Sequence, residues 1–277
     1  MQATTPQMRG VLGAPSEKNR TKVMGIVNVT PDSFSDGGKY FDPSAAIAHA
    51  YRLIEEGADY LDVGAESTRP GHTPVTPEEE WSRLQPVLSE LCKNSPVPVS
   101  VDTFKAATAQ KSLELGVQVI NDIWGGLADS EMLKVVADAG CEYIWMHNRN
   151  EPVNLDPFGA LVEETKAGIE RCLEAGIQPD KLWLDPGIGF GKTYEHNLMV
   201  LHRMEEYCGL GYPVLLGTSR KSVIGTTLSA TPGERLEGSL ATVSLAVWMG
   251  VQAVRVHDVQ ATVRTCRMVE AIRLSGQ

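Results

Sequence analysis

Asp102, Asn121 and Asp185 are two carboxylates and an amide, and each ends a short apolar run of this 277-residue chain. A carboxylate matches two adjacent N–H donors bidentately, and an amide both donates and accepts, so the trio suits a flat, nitrogen-rich ring. The same carboxylates, unevenly protonated, would also suit general acid–base work of the kind glycosidases perform, and spacing alone leaves both open. A third reading makes Asp102 the cap of a helix beginning near Phe104.

The last apolar run, GVQAVRVHD, alternates so that Arg255 and His257 share one strand face. An arginine turned into a core is costly unless an anion meets it, and the two residues together offer the several donors a phosphoryl group needs. The structural alternative is an internal ion pair with Asp62 or Asp258. Asn28 ends the first run and could meet the same phosphate, or a Mg2+ bound to it, through a hard amide oxygen. Thr218-Ser219-Arg220-Lys221-Ser222 sets two cations and three hydroxyls beside an expected helix start, a second place friendly to anions. Asp185-Pro186-Gly187-Ile188-Gly189-Phe190-Gly191-Lys192 is glycine-rich and follows a run, which permits close backbone approach to a ligand. Its spacing is neither that of a P-loop nor that of a dinucleotide fingerprint.

The elements that must position these groups follow from the repeat. Eight runs, at 23–29, 60–65, 97–102, 117–122, 143–147, 182–185, 214–218 and 253–257, break off into Asn28, Glu66, Asp102, Asn121, His147, Asp185, Lys221 and His257. If each run is a parallel strand followed by a helix, the chain is a single α/β domain, a (β/α)8 TIM barrel, and all eight polar residues converge on the mouth at the C-terminal strand ends. Helix signals lie between the runs. Asp42-Pro43 has the order of an N-cap and first helical residue, and Thr76-Pro77-Glu78-Glu79 fits a capping box leading to an apolar face of Trp81, Leu84, Val87 and Leu91. Two long loops, 30–41 after strand 1 and 66–75 after strand 2, hold Asp32, Ser33, Asp36, Gly37 and Gly38, and Ser67, Thr68, Arg69, Pro70 and Gly71. Loops of that length on a compact barrel are commonly lids or binding loops.

A formal charge of -10 argues against nucleic acid or an anionic membrane as the main partner, while leaving room for an anionic small substrate met by local cations. Five scattered cysteines show no zinc spacing and suggest reduced thiols. The first residues lack the apolar core of a secretory signal, so the expectation is a cytoplasmic protein. Residues 1–20 form an N-terminal extension in this reading, and 21–277 the barrel domain.

The blocks GIVNVTPDSFSDGG, DVGAESTRPG, SVDT, NDIWGG, LDPGIGFGK, TSRKS and RVHD, in that order, resemble the pterin-binding family of dihydropteroate synthases over about residues 22–260. The resemblance implies condensation of 6-hydroxymethyl-7,8-dihydropterin diphosphate with 4-aminobenzoate, giving 7,8-dihydropteroate and pyrophosphate. It implies that Asp102, Asn121 and Asp185 read the pterin, with Met146 and Phe190 lining the ring and Lys221, beside Gly217, reaching it. Asn28, Arg255 and His257 would form the diphosphate end, with Asn28 the Mg2+ ligand. Phe34, Thr68, Arg69, Pro70 and Ser222 would form the aminobenzoate side, and Asp36 would face the cationic pterin carbon. The implied catalytic set is Asp36, Asp102, Lys221, Arg255 and His257; Mg2+ is the implied cofactor and a homodimer the implied assembly. Sulfonamides would mimic aminobenzoate. Ala65 and Trp124 depart from the family's pattern without removing a polar group. A corrinoid methyltransferase barrel would share the trio but would not need the TPDSFSDGG loop or the Arg255/His257 pair. A non-catalytic pterin-binding barrel would not need Asp36, Arg255 or His257.

Overall fold

A computed structural model describes residues 20–30, 42–66 and 75–275. Eight parallel strands alternate with helices: β1 (Lys22–Asn28), β2 (Tyr60–Gly64), β3 (Val99–Asp102), β4 (Val119–Asp122), β5 (Glu142–Met146), β6 (Leu182–Asp185), β7 (Leu215–Leu216) and β8 (Ala253–Val256). The sheet order is β6-β5-β4-β3-β2-β1-β8-β7. A parallel bridge between Leu184 and Val214 joins the two ends, with the Leu184 N–H donating to Pro213 O at 2.9 Å. This is the expected (β/α)8 barrel.

Alternation along the strands divides the core in two. Val27, Val63, Val101, Ile120, Tyr143, Leu184 and Val254 face outward into the large cluster under the helices. Met24, Val119, Ile144, Leu215 and Ala253, backed by Tyr60 and Trp183, form a separate inner plug. Two residues further along the same inner faces come Ile26, Asp62, Asn121, Met146, Asp185, Gly217 and Arg255, so the apolar plug is a floor and polar groups lie above it.

The helices form where the local signals put them. Asp42 caps α1 (Pro43–Glu55) by accepting the Ser44 N–H at 2.9 Å. Thr76 caps α2 (Pro77–Asn94), whose buried face is Leu84, Val87, Leu88 and Leu91, with Trp81 packed partly against the core. Only one arm of the expected capping box is made: Thr76 Oγ1 accepts from Glu79 N at 3.2 Å, whereas the Glu79 carboxylate turns to Arg83 one helical turn on. The strand over 214–218 is shorter than its run, because only Leu215 and Leu216 pair with β8 and Thr218 already leads into a turn closed by Lys221 N. The remaining helices are α3 (Ala106–Glu114), α4 (Met132–Ala139), α5 (Pro157–Glu174), α6 (Tyr194–His202), α7 (Met204–Cys208), α8 (Ser222–Leu228), α9 (Leu236–Trp248) and α10 (Val259–Ser275). No helix among the described residues is long and apolar enough to cross a membrane. Arg20 is already tied to the barrel by an ion pair with Asp59; residues 1–19, the rest of the expected extension, lie outside the described residues.

Candidate functional site

The polar layer is organised around Asp62, which is fully buried on β2. Its carboxylate accepts from Ser100 Oγ at 2.6 Å, from Asn121 Nδ2 at 3.1 Å and from Arg255 Nε at 2.5 Å. Arg255 spans to the next carboxylate, donating from Nη2 to Asp102 Oδ2 at 2.7 Å. The sequence left an internal ion pair open as the alternative for Arg255. The structure makes one, to Asp62 and Asp102 and not to Asp258. Asp258 is instead held by Arg220, from Nη2 at 2.6 Å and Nε at 3.0 Å. Burial opposes the Arg255 charge, but the two carboxylates outweigh it and hold the guanidinium above its ordinary value. Burial lifts the Asp102 carboxyl to about 7 against the pull of Arg255. The helix-cap reading of Asp102 fails: α3 has Lys105 at its N-cap position, and the Ala106 N–H goes to Asp129.

Across the mouth, Asp185 ends β6 opposite Met146 of β5, with both side chains buried. Asp185 Oδ1 accepts the Gly187 N–H at 2.7 Å, and burial raises its carboxyl while Lys221 pulls the other way. Lys221 donates from Nζ to Ile188 O at 2.6 Å and sits 4.8 Å from the Phe190 ring centroid. Burial lowers its ammonium to about 8, opposed by Asp185. Gly217 is where these groups close in. A Cβ there would lie 3.7 Å from Lys221 Nζ, 3.8 Å from Asp185 Oδ2 and 3.9 Å from Arg255 Cβ, so the bare backbone leaves that space open. Asn28 stands at the end of β1 beside Gly64, partly exposed. Ser219 Oγ accepts the His257 backbone N–H at 3.2 Å and lies 3.0 Å from Nδ1 of the same ring, which fixes the imidazole at the end of β8. Ser222 opens α8 and is exposed.

Asn121, Asp102, Asp185, Met146, Phe190, Gly217, Lys221 and Arg255 are therefore grouped at the C-terminal strand ends, with Asn28 and His257 on the rim. His147 does not join them. Met146 is the last inward residue of β5, so His147 turns outward, with Nε2 2.9 Å from Glu164 of α5 and Nδ1 2.9 Å from Lys192. Glu66 also serves the frame: it pairs with Lys105, which also meets Glu80 at 3.1 Å, and accepts the Val75 N–H at 3.2 Å. Phe34, Asp36, Thr68, Arg69 and Pro70 lie outside the described residues. Asp62 entered the sequence reading only as a possible partner of Arg255, and Ser219 only as one of several hydroxyls. The signal for Asp62 was present: a carboxylate inside the run YLDVG, two residues after the inward Tyr60.

The chain matches the pattern of the pterin binding enzyme family over residues 24–257. It is 46% identical over 263 residues to a dihydropteroate synthase of Bacillus subtilis, covering 95% of this chain and 92% of that one. A Clostridium difficile dihydropteroate synthase crystallised in the presence of pteroic acid superposes with a TM-score of 0.89 at 46% identity, covering 91% of this chain and 97% of the other. The Xanthomonas albilineans dihydropteroate synthase with 4-aminobenzoic acid gives 0.88 at 42% identity, covering 92% and 94%. With the carboxylate, amide and cation layer in place above the barrel floor, the chain belongs to the pterin-binding enzyme family, and within it to the dihydropteroate synthases.

Proposed function

We propose that this barrel condenses 6-hydroxymethyl-7,8-dihydropterin diphosphate with 4-aminobenzoate, giving 7,8-dihydropteroate and pyrophosphate for folate synthesis. The observation that carries the reading is the grouping of Asp102, Asn121 and Asp185 with Arg255 and Lys221 in one mouth, in a chain so similar to synthases of this kind. Asp185 and Asp102 offer carboxylate oxygens to the N–H edge of the pterin, and Asn121 is oriented by its bond to Asp62. Phe190 and Met146 supply apolar contact to the ring, and Lys221 a cation at its edge.

In the reaction the C–O bond to the diphosphate breaks and its electron pair leaves with pyrophosphate. The amine nitrogen of 4-aminobenzoate then bonds to the exocyclic methylene and loses a proton. Ionisation before attack suits a weak aniline nucleophile and a dihydropterin able to hold the cation. Arg255 and His257 face the charge that builds on the departing oxygen, an electrostatic role of several kcal/mol in such sites. Asp36 faces the cationic carbon, while Phe34, Thr68, Arg69, Pro70 and Ser222 hold the aminobenzoate and exclude the water that would capture the cation.

The described residues contain no cluster of three His, Cys, Asp or Glu side chains able to hold a resident metal. The donor set fits a Mg2+ that arrives on the diphosphate, since such an ion keeps waters and phosphate oxygens and needs only one or two protein ligands, here the Asn28 amide oxygen. It would supply charge neutralisation on the leaving group. A homodimer is supported by exposed apolar side chains on two helices that pack together, Leu245 and Trp248 on α9 and Met268 and Ile272 on α10. A reducing cytoplasmic setting fits the five free cysteines.

The test is product chromatography on purified protein with both substrates and Mg2+. Dihydropteroate is expected from the wild-type protein and at least about 100-fold less from Arg255→Ala, the scale of losing one transition-state donor. Equal product from folded wild-type and variant protein would sink the assignment of Arg255.

A further inference from the structure

Between β6 and α6 the chain makes a loop with three glycines at positive φ: Gly187 at 68°, Gly189 at 86° and Gly191 at 54°. It is pressed against the end of β5. A Cβ on Gly187 would lie 1.9 Å from His147 O, and one on Gly191 2.3 Å from Arg149 O. Lys192 closes the loop and reaches back under it. Its Nζ lies 2.9 Å from His147 Nδ1, 3.0 Å from Gly187 O and 3.1 Å from Phe190 O, three acceptors for the three donors of one ammonium.

The far side of His147 completes the support. Glu164 Oε2 lies 2.9 Å from His147 Nε2 and 2.7 Å from Arg149 Nη2. Lys192 has only donors to offer Nδ1, so a neutral ring in the matching tautomer carries its proton on Nε2 toward Glu164, with Arg149 Nη2 also 3.2 Å from that nitrogen. Arg149, which cannot accept, binds the same carboxylate. Burial, reinforced by Lys192 and Arg149, depresses His147 to about 2, so the ring stays neutral. The loop carries the Phe190 ring, which the proposed pterin would meet on this side, and the Ile188 carbonyl that receives Lys221.

We propose that Lys192 is a positioning residue for pterin recognition, its ammonium braced by the His147–Glu164 pair and tying the Gly187 and Phe190 carbonyls so that Phe190 and Lys221 are held at the ring. The inference rests on the pterin-binding reading above. It carries a pH signature, because a neutral amine has only two N–H groups and must give up one of the three bonds. The groups around the Lys192 ammonium are His147 and Arg149 after β5, Glu164 of α5, Asp185 of β6, His196 of α6 across the same small cavity, and Lys221. Burial, opposed by Asp185, lowers Lys192 to about 7, so the third bond is lost as pH rises through neutrality.

The experiment is calorimetric titration of 6-hydroxymethylpterin into wild-type, Lys192→Met and His147→Leu proteins, repeated from about pH 6 to about pH 8.5, with folding checked by circular dichroism. At the acid end Lys192→Met should bind about 10- to 100-fold more weakly, the range for bonds to a charged group, and His147→Leu, which leaves two loop acceptors, less so. The ratio of wild-type to Lys192→Met affinity should shrink as pH rises, a change that general loss of stability would not produce. A constant ratio, or affinities for folded Lys192→Met or His147→Leu within about 2-fold of wild type at pH 6, would overturn the inference alone. No binding by the wild-type protein would overturn the pterin reading and this inference with it.

Discussion

Replacing Asp62 by Asn tests the polar layer at its centre. The carboxylate is fully buried and accepts three hydrogen bonds, from Ser100, Asn121 and Arg255. An asparagine keeps the shape but has only one acceptor oxygen, so its amide N–H2 must confront at least one of these donors. Removing one partner of a buried ion pair costs about 3–5 kcal/mol. Arg255 retains Asp102 at 2.7 Å, which places Asp62→Asn near the lower end, about 3 kcal/mol. In urea, with an m-value of about 3 kcal/mol/M, the unfolding midpoint should fall by about 1 M. Ser100→Ala removes one hydroxyl donor and leaves the ion pair intact, so its loss should stay nearer 1.5 kcal/mol, the lower figure for a bond to a charged group. The Asp62 charge is also one of the causes holding Asp102 up, so the Asp102 titration should move down from about 7 in the variant. An Asp62→Asn protein within about 1 kcal/mol of wild type, or a Ser100→Ala protein equally damaged, would refute the claim that this carboxylate anchors the layer.

Two further outcomes follow from buried charge and exposed surface. His147 is held neutral in the folded protein, at about 2 against an ordinary 6.5, so the folded state binds fewer protons between those limits. That stability is complete above pH 6.5 and is lost as pH falls, by up to about 2 kcal/mol at pH 5. His147→Gln should remove this component, and wild-type and variant stabilities falling in parallel from about pH 7 to about pH 5 would contradict it. Trp248→Glu, placing a charge among the exposed apolar side chains of α9 and α10, should turn a dimer into monomers in light scattering; a wild-type monomer, or a variant dimer of undiminished stability, would remove those side chains as the interface.

Much of the architecture was legible because it depends on local chemistry. Apolar runs of four to seven residues broken by polar ends, Asp42-Pro43 and Thr76-Pro77 at helix starts, and the alternation that puts Arg255 inward all act within a few residues. Asp102, Asn121 and Asp185 can be placed at strand ends for the same reason. What was not legible depends on distance in the chain. Asp62 and Arg255 are 193 residues apart; the sequence offers Asp62 and Asp258 alike as partners of Arg255, and only the closed barrel selects Asp62 and adds Asp102. The brace of His147 by Lys192 spans 45 residues and appears only once the loop after β6 folds back on β5.

The misplacement of His147 shows how narrow the margin is. The apolar run 143–147 puts its last residue at the mouth with the other strand ends. Register decides otherwise: Met146 stands opposite Asp185, and both point inward, so the residue after Met146 must point out. Side chains alternate with a period of two, and a boundary displaced by one residue therefore exchanges a ligand-facing position for a helix-facing one. At β4 the same rule explains why neighbouring Asn121 and Asp122 diverge. Asn121 faces the interior and bonds Asp62, while Asp122 faces outward and accepts from Tyr143 Oη at 2.8 Å and from the Trp124 and Gly126 amides, bracing the turn that follows. Polar residues at barrel strand ends thus divide between reading a ligand and holding the loops that surround it, and the division is set by strand parity rather than by residue type.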